Sequence, residues 1–253
     1  MESKARHGAQ VVEQFTRQAK GYAEMTEKYG SGYDPIELID VGPDDIVLDV
    51  ACGTGRLTLP LAARARHVTG LDITPAMVDI ARQAQAEAGV ANIDWQIGNV
   101  HALPFANNSF SLVTCGLAAH HFTEPATVLA EMRRVCRPGG RLAVMDLTPP
   151  ADKAAALDRF EKLRDASHVH ALTPEELRGL GRDLGLTEVT AHTFLTRSAP
   201  VDVILSWPIS ETHSIDELRE MILADPDALG VAVHDKDGAP QIAYLMSVVV
   251  WRV

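Results

Sequence analysis

Ile46-Val47-Leu48-Asp49-Val50-Ala51-Cys52-Gly53-Thr54-Gly55 decides the fold. An apolar run of strand length ends in a glycine-rich turn, and Leu57 to Ala65 continues with helical spacing. The alternation then repeats. His67 to Ile73 reads as a strand, Thr74 as an N-cap, Pro75 as the first helical residue and Gly89 as the stop. Between them Met77, Ile80, Ala81 and Ala84 form one apolar helix face. Ile93–Ile97 and Phe110–Cys115 are further strands. A helix from about Glu124 carries Val128, Leu129, Met132 and Val135 inward and ends at Arg137-Pro138-Gly139-Gly140, before a strand from Arg141 to Leu147. Strands separated by helices at this spacing build a parallel sheet with helices on both faces. The fold class is α/β.

The flanks are less regular. Val11–Glu24, Ala154–Ala166 and Thr173–Leu184 read as helices, and Thr187–Thr196 and Gln241–Val253 as strands. Thr173 with Glu176, and Ser214 with Glu217, have capping-box spacing, and Asp237-Gly238 marks a turn between the last two elements. One domain is the simplest account of residues 1–253: an N-terminal helical lid over 1–40, a core over 41–150, and covering helices with C-terminal strands over 151–253.

Composition narrows the partners. With 23 Lys plus Arg against 34 Asp plus Glu, the formal net charge is −11, which disfavours nucleic acid and anionic lipid. Arg133, Arg134, Arg137 and Arg141 are the one dense basic candidate. Cys52, Cys115 and Cys136 have neither disulfide parity nor metal spacing, which suits a reducing compartment. No apolar run reaches the length of a bilayer span and the N-terminus has no signal core, so a cytoplasmic protein without a membrane span is expected.

Open parallel sheets bind ligands beyond the carboxyl ends of their strands. Gly53 and Gly55 let the first turn approach a ligand closely, and the following helix offers free N–H groups. Asp72, ending the second strand, can accept hydrogen bonds from a ribose diol. Gly98-Asn99-Val100-His101, ending the third, can read a base edge. Together these describe a nucleoside-containing cofactor. Gly53-Thr54-Gly55-Arg56-Leu57-Thr58 lacks the third glycine of a dinucleotide fingerprint, which weakens NAD.

VLDVACGTGRLTLPLA, GLDITPAMVDIAR, GNVHALPFANNSFSLVTCGLAAHHF and EMRRVCRPGGRLAVMDL, in that order, resemble the class I S-adenosylmethionine-dependent methyltransferases. The likeness is greatest to the small-molecule branch that includes the ubiquinone/menaquinone C-methyltransferases, and FTRQAKGY resembles its lid helix. The resemblance implies a Rossmann-like, mostly parallel seven-stranded sheet with an antiparallel last strand. It implies S-adenosyl-L-methionine as cofactor, S-adenosyl-L-homocysteine as product and a small-molecule acceptor methylated at O, N or C. Asp49, Ala51, Gly53 and Gly55 would surround the methionine part. Asp72 would hold the ribose, Ile73 and Met77 the adenine face, and Asn99 and Val100 its edge. Cys115, at the end of the fourth strand, joins this set by position, although its residue type reads as core. Ala51 stands where glycine is frequent in the family, and Asn99 where aspartate is.

Methyl transfer from a sulfonium is an in-line displacement in which orientation does most of the work. If the acceptor arrives protonated, His120 and His121 are the candidate bases, with Asp146 as an orienting acid. Phe15, Tyr22 and Tyr33 are candidates to close over the cofactor, and Trp207 to line an acceptor pocket. His168 and His170 read as ordinary exposed histidines, and no metal site is expected. Other readings are a cofactor binder without methyl transfer, a methyltransferase acting on RNA or protein, and a dinucleotide oxidoreductase.

Overall fold

The computed structural model describes residues 2–29, 36–206 and 210–253, so Tyr33 and Trp207 lie outside the described residues. Five strands run parallel: β1 (Ile46–Val50), β2 (His67–Asp72), β3 (Ile93–Ile97), β4 (Phe110–Gly116) and β5 (Cys136–Leu147). β6 (Thr187–Leu195) and β9 (Ala239–Arg252) complete the order β3-β2-β1-β4-β5-β9-β6, with β9 antiparallel to both neighbours. The antiparallel last strand is therefore present. Two short strands, β7 (Ala199–Pro200) and β8 (Val231–Lys236), pair with the first half of β9 and bring the total to nine rather than seven.

Alternation along the strands explains the two faces. Val47, Leu112, Ala143, Met145, Val248 and Val250 meet α2 (Ile36–Ile39) and α3 (Thr58–Ala62) in one cluster. Leu48, Val50, Val113, Val144, Val249 and Trp251 meet α5 (Pro125–Val135) and α7 (Pro174–Asp183) in the other. Strands buried on both sides need this near-continuous apolar sequence. A third cluster joins α6 (Ala154–Arg164), α8 (Val201–Ser206) and α9 (Ile215–Ala224) to the first half of β9 through Leu157, Phe160, Leu205, Leu218 and Tyr244.

The local signals hold where they are strong. Both capping boxes form, Gly89 closes α4 (Pro75–Ala88) in the left-handed region, and Asp237 and Gly238 both have positive φ in the β8–β9 turn. Differences lie at the edges. The first helix, α1, runs Glu2–Tyr29. β5 begins at Cys136 because Phe110 pairs with it across a bulge, before Arg141 resumes the ladder opposite Leu112. The basic cluster is partly consumed internally: Arg134 binds Glu131 and the carbonyls of Leu103 and Phe105, and Arg141 binds Asp45. Among the described residues no helix is long and apolar enough to cross a membrane.

Candidate active site

Strand order reverses between β1 and β4, and a cavity of about 1430 Å³ opens beyond the carboxyl ends there. It exceeds the roughly 300–1,000 Å³ typical of a single-ligand pocket, leaving room for two reactants. Asp49, Ala51, Gly53, Asp72, Ile73, Met77, Asn99, Val100 and His121 all line it.

Each is set there by local structure. Asp49, at the end of β1, is 1% exposed. Its Oδ2 accepts from Thr58 Oγ1 at 2.6 Å and its Oδ1 from Thr114 Oγ1 at 2.9 Å. Burial pushes its carboxyl up to about 6 in spite of those bonds. Ala51 and Gly53 have φ of 54° and 53°, which folds the chain tightly back over the strand end. Asp72 closes the turn: its Oδ2 accepts from Gly53 N at 2.9 Å and its Oδ1 from Thr74 N at 2.8 Å. Burial raises its carboxyl as well. Each oxygen retains a lone pair after these bonds, so a diol can still be accommodated. Asn99 spends its side-chain oxygen on His101 N at 2.9 Å, which competes with reading a base amine.

Three expected site residues stand elsewhere. Gly55 is not on the wall: a Cβ there would lie 2.7 Å from Trp95 Cη2 and 3.3 Å from Ala81 Cβ, and its φ is 79°. Its role is close packing beneath the turn. Cys115 is 1% exposed within the apolar cluster of Val128 and Met132, because alternation along β4 turns it away from the cavity. His120 also lies off the wall. The 3₁₀ turn Ala119–His121 points the two histidines differently. His120 turns to β5, where its Nδ1 is 2.6 Å from Asp146 Oδ1 and its N donates to Asp146 Oδ2 at 3.1 Å. Burial opposes the charged imidazole, but the Asp146 carboxylate outweighs it and raises His120 above its ordinary value.

His121 faces the cavity with Nδ1 3.1 Å from Ser167 O, and Ser167 Oγ donates to Asp165 Oδ1 at 2.6 Å. Burial, and then the neighbouring His120 at 4.1 Å between ring centroids, hold it well below its ordinary value, so it is neutral. From α1, Phe15 meets its ring edge-on at 5.0 Å, and His7 Nε2 lies 2.9 Å from its carbonyl oxygen. His168 is a correction: it is 6% exposed, and Asp158 of α6 takes both His168 and His170, at 2.8 and 2.6 Å. Among the described residues no group of His, Cys, Asp or Glu is arranged to hold a metal.

Wall residues without a sequence signal are His7, Arg56, Met145 and Arg197. They arrive from separate elements; Arg56 and Met145 lie within quoted motifs but no reading of those motifs assigned them a role, and His7 and Arg197 lie outside any motif.

A Rossmann-like sheet with an acid-lined turn at its reversal defines an α/β protein with a ligand cleft at the carboxyl ends of its strands. Comparison with known proteins gives the particular family. Residues 48–144 match the family model described as a methyltransferase domain. The chain is 31% identical over 173 residues to the uncharacterized methyltransferase YcgJ of Bacillus subtilis, covering 66% of this chain and 67% of that protein. It is 36% identical over 150 residues to the ubiquinone/menaquinone biosynthesis C-methyltransferase UbiE of Legionella pneumophila, covering 55% of this chain and 60% of UbiE. The crystal structure of BH2331 from Bacillus halodurans shares the fold with a TM-score of 0.75 at 24% identity, over 86% of this chain and 96% of that one. The chain belongs to the class I S-adenosylmethionine-dependent methyltransferases.

Proposed function

We propose that this cavity binds S-adenosylmethionine and transfers its methyl group to a small, largely apolar acceptor, releasing S-adenosylhomocysteine. The carrying observation is the two-ended cavity. By sheet order Asp72 and Asp49 stand at the ends of β2 and β1, with Ile73, Met77 and Val100 beside them, while Leu117 and Met145 stand at the ends of β4 and β5 on the other side of the reversal. Asp72 suits a ribose diol through its spare lone pairs. Asp49 suits a cationic group that its ionised form would attract. The bound cofactor supplies an electrophilic methyl; the chain's task is to orient the acceptor and exclude water.

Where the acceptor arrives protonated, the histidine pair takes the proton. His121, neutral and on the wall, meets the acceptor, and His120, 4.1 Å behind it between ring centroids and backed by Asp146, is the stronger base to which the proton passes. Residues 1–40 serve as the lid, 41–150 as the cofactor core and 151–253 as the acceptor cover. Three buried free cysteines support a cytoplasmic setting. The family match ends at residue 144, so a quinone acceptor is not carried over from UbiE.

Calorimetric titration of S-adenosylmethionine, S-adenosylhomocysteine and NADH tests the cofactor. Micromolar binding of a sulfur ligand with NADH silent is expected, and Asp72→Ala should weaken it about 10- to 150-fold. Heat from NADH alone would overturn the reading.

A further inference from the structure

We infer that the acceptor carries an oxyanion, a carboxylate or phosphate, and that Arg197 recognises it; this rests on the cofactor occupying the Asp49–Asp72 end. Across the sheet order β3-β2-β1-β4-β5-β9-β6, Asn99 follows β3 and Arg197 follows β6, so the two wall residues come from opposite sides of the reversal. Between them the wall is largely apolar at Leu57, Pro60, Leu117, Ala118 and Met145. A mostly apolar pocket uses its few polar groups to fix orientation. Toward the far end Arg197 is such a group.

Its backbone is held at both sides. Thr196 N donates to Tyr244 O at 2.8 Å, Tyr244 N donates to Thr196 Oγ1 at 3.0 Å, and Ala199 pairs with Ile242. The guanidinium therefore projects from a short loop clamped to β9. Among the described residues it makes no ion pair or hydrogen bond, although carboxylates outnumber cations in this chain. The cation at the other end, Arg56, is engaged with Tyr22. Glu13 of α1 is also on the wall and likewise makes no ion pair or hydrogen bond among the described residues. It repels an anion, so recognition requires the acceptor to reach the guanidinium itself. A planar fork of donors matches a carboxylate or a phosphate.

The test is binding of matched probes to the full chain, with and without S-adenosylhomocysteine: benzoate against benzamide, octanoate against octanamide, and phenyl phosphate. Benzoate and octanoate should each bind at least about fivefold more tightly than the matching amide, a modest factor because Arg197 is exposed. Arg197→Gln should abolish that preference, and Arg197→Lys should keep part of it. S-adenosylhomocysteine affinity should be the same in all three proteins, which certifies their fold. Phenyl phosphate outranking benzoate would assign a phosphate, and the reverse a carboxylate. Equal binding of anions and amides, a preference that survives Arg197→Gln, or no binding of any probe overturns the inference. Failure of S-adenosylhomocysteine to bind the unaltered protein overturns the cofactor reading instead.

Discussion

Ala51 holds a φ of 54°, a conformation that costs an L residue with a Cβ roughly 1–2 kcal/mol. Asp72, by fastening Gly53, over-determines the turn that imposes it. Ala51→Gly should relieve the strain, offset in part by a freer unfolded chain. A net gain of about 0.5–1 kcal/mol, or roughly 1–4 °C in Tm, is expected by calorimetry; a lower Tm would show that the methyl group contributes packing worth more than the strain. His120 gives a second prediction at this scale. Its raised proton affinity comes from Asp146 against the opposing effect of burial. A base must start neutral, so kcat for a protonated acceptor should rise with pH through a value above the ordinary histidine range. Asp146→Asn should shift that rise to lower pH and reduce the plateau by about 100-fold. An unmoved pH limb would remove the pair from proton transfer.

At the scale of elements, α1 is fastened over the site by few bonds. His7 meets the carbonyl of His121, and Gln10 Nε2 donates to Ala166 O at 2.7 Å. Replacing both by alanine removes roughly 1–3 kcal/mol of closure. Faster amide exchange in α1 and at least fivefold faster release of S-adenosylhomocysteine are expected. Unchanged exchange would mean that Phe15, the packing of α1 on α4, the Arg17–Glu211 ion pair and the Tyr22–Arg56 contact hold the helix without them. Elements were legible where their signal was local: periodic apolar residues gave β1 to β5 and α4, and capping boxes gave the starts of α7 and α9. Short α8, β7 and β8 were not legible, because their order comes from pairing or packing with β9. The expected residues that do line the cavity stand at or soon after a strand end, a local signal in the sequence, whereas Gly55 and Cys115 are taken up by packing that depends on distant residues. Neighbouring residues in one turn can face apart, so sequence could not separate His120 from His121. Nor could it show Asp158 capturing His168 from ten positions away.

For the whole molecule β9 is decisive. Its second half lies between β5 and β6, and its first half carries β7 and β8. Loss of β9 packing should therefore be felt by the strands along both of its halves together. Trp251 is 1% exposed, and its indole lies where a Cβ on Gly181 would have to stand. Trp251→Ala should cost about 3–5 kcal/mol. Urea curves followed by far-UV circular dichroism and by fluorescence should stay superimposed in both proteins. Separated curves would show that the cover unfolds independently of the core.

The same strand sets a schedule for synthesis. A growing chain releases β5 and β6 from the ribosome well before β9, the strand that must part them. Until residues beyond 238 emerge, the inner edge of β5 has no permanent neighbour, and Val144 and Met145 lack their partners Val249 and Val248. Open apolar edges of this kind invite pairing with other chains. A message cut short before β9 would therefore yield a polypeptide with the whole glycine-rich turn after β1 and an adhesive flank, a natural client for chaperones and proteases.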